Sequence, residues 1–295
     1  MAIDVEAVRH WPFTEVRQAY TEKDSILYAL ALGYGSDPVD EGQLSFVYER
    51  NLQASPAMAT ALCHPGFWIS EPRTGIDASR SVHAEHNVVF HKPLPASGTL
   101  VATTRVLDVF DRGDGKGAML VFARDLRDAS SGECIASIEH RTLCRADGGF
   151  SGAAPYLQGL KPGVLFSPVD ISRAPNHAIE ITSLPQAALI YRLSADPNPL
   201  HADPDVANRA GFPRPILHGL CTYGLVCRAV LETCCEQRAD RLRSLAMRFI
   251  APVYPGEVLR VEIWAGEDIG NVGFNCVIPG RDRLLVATGS ATLAA

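Results

Sequence analysis

The second half of the chain places one long helical pattern directly before four strand-like segments. The apolar residues of HGLCTYGLVCRAVLETCC, at positions 218–235, recur at intervals that suit a helix with one buried face. A shorter helix before it is predicted to open at the N-cap Asp203 and to stop at Gly211. Apolar alternation and intervening turns mark the four segments, which cover residues 242–252, 257–265, 271–279 and 283–293. A long helix followed by an antiparallel meander predicts an α+β fold, in which a curved sheet wraps around the helix.

Part of this pattern recurs in the first half with a constant offset. Pro93 and Pro252 stand 159 residues apart, and Asp37 and Asp196 stand the same distance apart. Three strand-like segments also follow Pro93, and they cover residues 98–110, 117–127 and 133–143. D-P and P-x-G turns are common, but two landmarks that share one offset indicate two copies of one fold.

The repeat also predicts where the chain divides. Residues 146–163 are rich in glycine and have no strong apolar period, so we predict a linker there. It would join a first domain over residues 1–145 to a second over residues 164–295. The residue 159 positions before His201 is Gly42, so only the second copy pairs an aspartate with a histidine.

The composition narrows the class of protein. Of the 295 residues, 47% are hydrophobic and 20% charged, and the net charge of −6 argues against an extended nucleic-acid surface. The eight cysteines form no C-x-x-C pair and no zinc spacing, so we expect reduced thiols. The chain shows no signal peptide, no bilayer-length apolar run and no terminal S-K-L. We therefore expect a cytoplasmic protein without membrane insertion.

The segment YRLSADPNPLH, residues 191–201, sets an acid and an imidazole at the two ends of a stiff turn. Its two prolines hold φ near about −65°, which restricts the positions open to Asp196 and His201. A carboxylate and an imidazole that face one small molecule suit paired general acid and base catalysis. The amide of Asn198, between them, can orient a water or a ligand.

Two other interpretations of this segment stay open on spacing alone. Asp196 can serve only to cap the turn, with His201 as a buried and hydrogen-bonded histidine. Asp203 and Asp205 can instead join His201 in a metal site.

Gly219 favours catalysis over these alternatives. It stands at the start of the long helix, where free amides and the helix dipole stabilise negative charge. An acid–base pair beside such an oxyanion donor is what enolate chemistry on a thioester requires. A structural role for Gly219, in letting the helix start close to a strand, is equally consistent with its position.

The segment YRLSADPNPLHADPDVANRAGFPRPILHGLCTYG resembles the hydratase motif of the MaoC-like, (R)-specific enoyl-CoA hydratases, in particular the hydratase region of peroxisomal multifunctional enzymes. The resemblance continues through MRFIAPVYPGEVL and, in the first half, through VHAEHNVVFHKPLPASGTL and VLDVFDRGDG. It implies a double hot-dog fold, with two curved antiparallel sheets each wrapped on a helix. It also implies a first half that binds acyl-CoA without taking part in the chemistry.

The same resemblance implies roles for four residues. Asp196 and His201 would be the catalytic pair, Asn198 would help to align them, and the Gly219 amide would hold the thioester oxygen. The reaction would be addition of water to a trans-2-enoyl-CoA to give the (3R)-3-hydroxyacyl-CoA, and the reverse dehydration. We assign the proton taken from water to His201 and the proton given to carbon to Asp196. One water that serves both transfers would place hydroxyl and proton on the same face.

Ligand contacts also follow from the resemblance. His83, Ala84 and Phe249 match positions that contact the CoA ligand, and Arg112 stands where relatives have a lysine near the CoA phosphates. The sequence departs from the family at Ala195, where glycine is common.

We expect an acyl-CoA substrate, no metal, no redox cofactor, no nucleic-acid partner and a homodimer. His83, His86 and His91 can be read as a metal cluster, but positions 83 and 86 of a regular strand face opposite sides, which argues against shared ligation. The alternative functions are a hot-dog acyl-CoA thioesterase and a non-catalytic acyl-CoA binding module.

Overall fold

The computed structural model describes residues 3–151, 171–266 and 268–294, and it contains one ten-stranded antiparallel sheet. The strands are β1 Val16–Tyr20, β2 Ser81–Phe90, β3 Gly98–Asp111, β4 Ala118–Asp128, β5 Cys134–Cys144, β6 His177–Thr182, β7 Leu242–Phe249, β8 Val258–Ala265, β9 Asn271–Ile278 and β10 Leu284–Leu293.

The sheet repeats one strand order in its two halves. The first five strands are ordered β1-β3-β4-β5-β2, and the second five are ordered β6-β8-β9-β10-β7 from the opposite edge. Pairing of β2 with β7 joins the halves into one continuous sheet. At this seam the buried Glu85 carboxylate forms ion pairs with Arg141, at 3.4 Å, and Arg248, at 2.6 Å. The two halves therefore share both backbone pairing and a buried charge network.

Six α-helices are described: α1 Val5–Arg9, α2 Glu22–Ala31, α3 Glu41–Leu44, α4 Ala187–Ser194, α5 Pro204–Arg209 and α6 Gly219–Cys234. The predicted long helix is α6, and nearly all of its central residues are buried in the hydrophobic core. The predicted short helix is α5, with the Asp203 carboxylate accepting hydrogen bonds from the first-turn amides. None of the described helices has both the length and the apolar content needed to cross a membrane.

The two halves differ in what covers the sheet. The second half has the sixteen-residue α6, whereas the first half has α2, α3 and a short 3-10 helix, Pro56–Thr60, that contacts α6. Buried Arg228 of α6 donates to the Leu32 carbonyl, at 2.9 Å, and to Glu232, at 2.7 Å, and so ties α6 to the end of α2.

All seven predicted strand segments are confirmed, and their ends shift by at most three residues. β7 stops at Phe249, three residues early, because the amides of Ile250 and Ala251 both donate to the Val286 oxygen and Pro252 has no amide hydrogen. Strands β1, β2 and β6 were not predicted. The predicted linker, 146–163, lies largely outside the described residues, and the domain boundaries stay a prediction. All eight cysteines are free thiols, and none is exposed.

Candidate active site

The predicted turn links the end of α4 to a short 3-10 helix, Pro199–His201. The Asn198 amide donates to Asp196 Oδ1, at 2.9 Å, and Asn198 Oδ1 accepts from the Leu200 amide, at 3.0 Å. The Asn198 side chain therefore holds the turn, and its backbone amide aligns Asp196. Ala195 has a negative φ, −136°, so the position does not need a glycine to reach the left-handed region.

His201 is held in one tautomer by a backbone carbonyl. The ring is buried, and its Nδ1 lies 2.9 Å from the Ile216 oxygen. Because a carbonyl oxygen only accepts, Nδ1 carries the hydrogen and Nε2 keeps its lone pair. Ligand atoms of Asp196, His201 and His218 all lie within 4.8 Å of one another. The predicted acid and imidazole are therefore neighbours.

His218 was not predicted as a site residue. Its ring stacks on the His201 ring, with centroids 3.7 Å apart and planes at 28°. Its Nε2 donates to the backbone oxygen of Asp196, at 3.0 Å, and its Nδ1 is buried without a protein partner. The only sequence signal was its position directly before Gly219, since stacking across the chain leaves no local pattern.

Burial sets the protonation state of both rings. It lowers the pKa of His201 below 6.5, against the opposing effects of the Ile216 hydrogen bond and the Asp196 charge. Burial, with a further contribution from His201, lowers the pKa of His218 to about 3. Both imidazoles are therefore neutral near pH 7, and Nε2 of His201 is available as a base.

Gly219 is the first residue of α6, as predicted, and it lies against Phe249. A Cβ at this position would stand 3.3 Å from Phe249 Cε1 and 3.5 Å from Cδ1. The Phe249 ring in turn lies 4.6 Å from the His83 ring, centroid to centroid. The candidate oxyanion donor and two of the predicted ligand contacts therefore form one contiguous group.

Ala84 explains why the opposite-face prediction for His83 and His86 is wrong. The β2–β5 register shifts between His83 and Glu85, so Ala84 forms a bulge that brings both histidines to one face. His83 Nε2 lies 3.2 Å from His86 Nδ1. Their third neighbour is His140 rather than the predicted His91, and its ring is nearly parallel to that of His83, at 3.7 Å and 10°.

Two other predicted groups lie apart from the acid–base pair. Arg112 is exposed on the turn between β3 and β4, where its Nη1 donates to the Lys116 oxygen at 3.4 Å, and its phosphate role stays a prediction. The Asp203 carboxylate caps α5 by accepting from the Asp205 amide, at 2.8 Å, rather than pairing with His201.

The first copy keeps the aspartate turn, but the end of the Gln237 side chain occupies the space beside Gly42. Asp37 Oδ1 accepts from the Val39 amide, at 3.0 Å, just as Asp196 accepts from the amide two residues on. A Cβ at Gly42 would overlap the side chain of Gln237. Among the described residues, the first copy therefore has no counterpart of the Asp196–His201 pair.

Two family models match the chain in tandem. The model described as "MFE-2 hydratase 2 N-terminal domain" matches residues 18–146, and the model described as "MaoC like domain" matches residues 168–277. The enoyl-CoA hydratase ChsH3 of Mycobacterium tuberculosis is 35% identical over 98% of both chains. The peroxisomal enoyl-CoA hydratase 2 of Arabidopsis thaliana is 35% identical over 85% of this chain and 83% of its own.

Solved structures agree with these sequence matches. A MaoC-like dehydratase from Phytophthora capsici superimposes with a TM-score of 0.82, at 27% identity over 98% of both chains. The full-length peroxisomal multifunctional enzyme type 2 of Drosophila melanogaster gives a TM-score of 0.76 at 30% identity, over 95% of this chain and 48% of its own. A 14% identical protein from Mycobacterium tuberculosis, described as a double hotdog fold, gives 0.57 over 96% of both chains. The predicted double hot-dog fold is confirmed.

Proposed function

From the premise that this chain belongs to the MaoC-like dehydratase and hydratase 2 family, whose named members are hydro-lyases, we propose that it hydrates trans-2-enoyl-CoA. The product is the (3R)-3-hydroxyacyl-CoA, and the reverse dehydration uses the same groups. The observation that carries the proposal is the neutral His201, which has one ring nitrogen within 4.8 Å of a carboxylate oxygen of Asp196.

At the start of the proposed reaction Asp196 is protonated and His201 is neutral, with its Nδ1–H donated to the Ile216 oxygen. His201 Nε2 takes a proton from water as the oxygen bonds to C3 of the substrate, and Asp196 gives its proton to C2. The C2–C3 double bond becomes single, and the proton on His201 then returns to Asp196. Because Asp196 and the water held by His201 act from the same side of the substrate, hydroxyl and proton are added to the same face.

The Gly219 amide stabilises the enolate oxygen that forms between these two proton transfers. The first amides of α6 have no intrahelical acceptor, and the helix dipole adds positive potential at this end. Acid, base and oxyanion donor account for a hydration that involves no net oxidation, so we propose that no redox cofactor takes part. His83, Ala84 and Phe249 would contact the ligand beside Gly219.

The test follows the loss of conjugated thioester absorbance when crotonyl-CoA is incubated with the protein. Asp196→Asn keeps an oxygen for the Asn198 amide but removes the acid, and His201→Ala removes the base. Each is expected to lower kcat about 1,000-fold. Matched controls are Asp205→Asn and His177→Ala, which change exposed residues of the same types and are expected to retain full activity.

Product chirality is read with (3R)- and (3S)-specific 3-hydroxyacyl-CoA dehydrogenases. Wild-type rates in both site variants would overturn the assignment of the pair. Release of free CoA thiol without a hydroxyacyl product would instead establish a thioesterase. Tight acyl-CoA binding without turnover would establish a binding module. The homodimer and the cytoplasmic location stay predictions.

A further inference from the structure

Arg124 is a buried cation on the face of the sheet that α6 covers. It lies on β4, has 3% exposure, and donates one hydrogen bond, from Nη2 to the Thr60 oxygen at 2.7 Å. Its Nε is buried without a protein partner. Burial lowers its pKa only to about 10, so the guanidinium is charged at neutral pH.

No carboxylate among the described residues forms an ion pair with this guanidinium. The acidic group that most affects it is the Cys63 thiol, and burial raises the pKa of that thiol despite the nearby positive charge. A buried charge without a partner is strongly unfavourable. Arg124 is therefore a candidate anion-binding residue.

Three neutral histidines, His83, His86 and His140, form a group that lies close enough to Arg124 for its charge to act on each ring. Burial lowers the pKa values of His83, His86 and His140, and the positive charge of Arg124 contributes to each shift. His86 Nε2 is buried without a partner, and His83 and His140 are only partly buried, so a ligand can reach the group. Neutral imidazoles can each donate one hydrogen bond to an anion.

A metal ion fits these histidines less well than an anion does. The rings of His83 and His140 are nearly parallel, so the lone pairs in their planes do not converge on one point. The uncompensated charge of Arg124 would also repel a cation.

The histidine group adjoins the candidate catalytic site. His83 contacts Phe249, which lies against Gly219. From β7, which carries Phe249, the sheet runs through β2 and β5 to β4, which carries Arg124. The register takes His83, which contacts Phe249, through Thr142 to Leu120 of β4, and Arg124 lies four residues further along that strand. Three strand spacings of about 4.8 Å across and four residues of about 3.3 Å along give about 20 Å, a distance suited to an extended long acyl chain.

We propose that Arg124 binds a carboxylate at the distal end of the acyl group, so that ω-carboxy enoyl-CoA thioesters are the preferred substrate class. This inference rests on the proposed function, because the acyl chain is placed by a thioester held at Gly219. Arg124 would bind the carboxylate through its free Nε–H and an Nη–H, with an imidazole N–H of the histidine group as a third donor.

Calorimetric titration with saturated long-chain acyl-CoA probes tests the proposal without turnover. The pair of probes is an ω-carboxy acyl-CoA and its methyl ester, which has similar length but no charge. We expect the wild-type protein to bind the carboxylate about tenfold more tightly or better, and Arg124→Met to lose that preference. Arg127→Met, an exposed arginine on the same strand, should keep it.

Equal wild-type affinity for the two probes, or a preference for the ester, overturns the proposal. Arg124 can also matter structurally through Thr60, so thermal unfolding of each variant is measured alongside. If Arg124→Met does not fold, the wild-type preference still decides, and Arg124→Lys should keep part of it. Hydration of crotonyl-CoA without a carboxylate preference refutes this inference alone, whereas no hydration of any enoyl-CoA refutes the proposed function as well.

Discussion

Gly219→Ala is the substitution that most directly tests the oxyanion donor, because it keeps the amide and changes only the space around it. The added Cβ would lie 3.3 Å from Phe249 Cε1, a few tenths of an ångström inside the usual carbon–carbon separation of about 3.5–4.0 Å. The ring is itself packed against His83, so either the ring or the start of α6 has to shift. In both cases the amide and the thioester oxygen lose their alignment.

The expected loss follows from how oxyanion donors behave. Removal of one donor typically lowers kcat about 100- to 1,000-fold. A donor that is displaced rather than removed should cost less, so we expect kcat/KM to fall about 10- to 100-fold, or about 1.4–2.7 kcal/mol. The assay is the initial rate of crotonyl-CoA hydration over a range of concentrations, with thermal unfolding as a check that the variant folds.

Two further variants separate the clash from other effects. Gly280→Ala is the matched control, because a Cβ there meets no atom within 4 Å, and it should retain wild-type kcat/KM. Phe249→Leu removes the ring edge that the added Cβ would meet. The double variant should therefore have a kcat/KM only a few-fold below that of Phe249→Leu alone. Full activity in Gly219→Ala would refute the expected displacement of the amide, and purely additive losses would refute the clash with the ring.

The remaining predictions concern the second histidine, acid stability and the link between the halves. His218→Leu should lower kcat about tenfold, because it removes the hydrogen bond to the Asp196 oxygen and the polar ring that stacks on His201; unchanged kcat contradicts this. The lowered pKa values of His86 and His140 mean that the unfolded chain binds more protons below pH 6.5. The stability that these neutral histidines contribute is therefore present above pH 6.5 and is lost as the pH falls below it. The free energy of unfolding, measured with urea, should fall by about 1.4 kcal/mol per histidine and pH unit. Arg228→Met should lower the free energy of unfolding by about 3 kcal/mol, since it leaves the partly buried Glu232 carboxylate unpaired. Arg209→Met, at an exposed position of α5, should change it by less than about 0.5 kcal/mol.

Local patterns predicted the elements that depend on local physics. Neighbouring residues alone determine three of these features: the apolar period of α6, the alternation of β7 to β10 and the cap of α5 by Asp203. The structure confirms all three. The turn at Asp196 belongs to the same class, because its proline and asparagine residues determine its geometry over a few positions.

Features that depend on cross-strand register were not predictable in this way. The bulge at Ala84 exists only relative to β5, and without it the strand period places His83 and His86 on opposite faces. The stacking of His218 on His201 and the isolation of Arg124 likewise depend on residues that are distant along the chain.

The comparison of the two copies explains why one chain carries one acid–base pair. Both aspartates accept a hydrogen bond from the amide two residues on, so the turn itself does not require catalysis. The two turns differ in their neighbours, because Gln237, which follows α6, fills the space beside Gly42 and also donates to the Asp40 carboxylate. A histidine at position 42 would have to displace that side chain. The segment after α6 thus closes the first site, while the start of α6 supplies the amides of the second. The same helix therefore accounts for both the lost and the retained site, and replacing Gly42 alone should not create a second active pair.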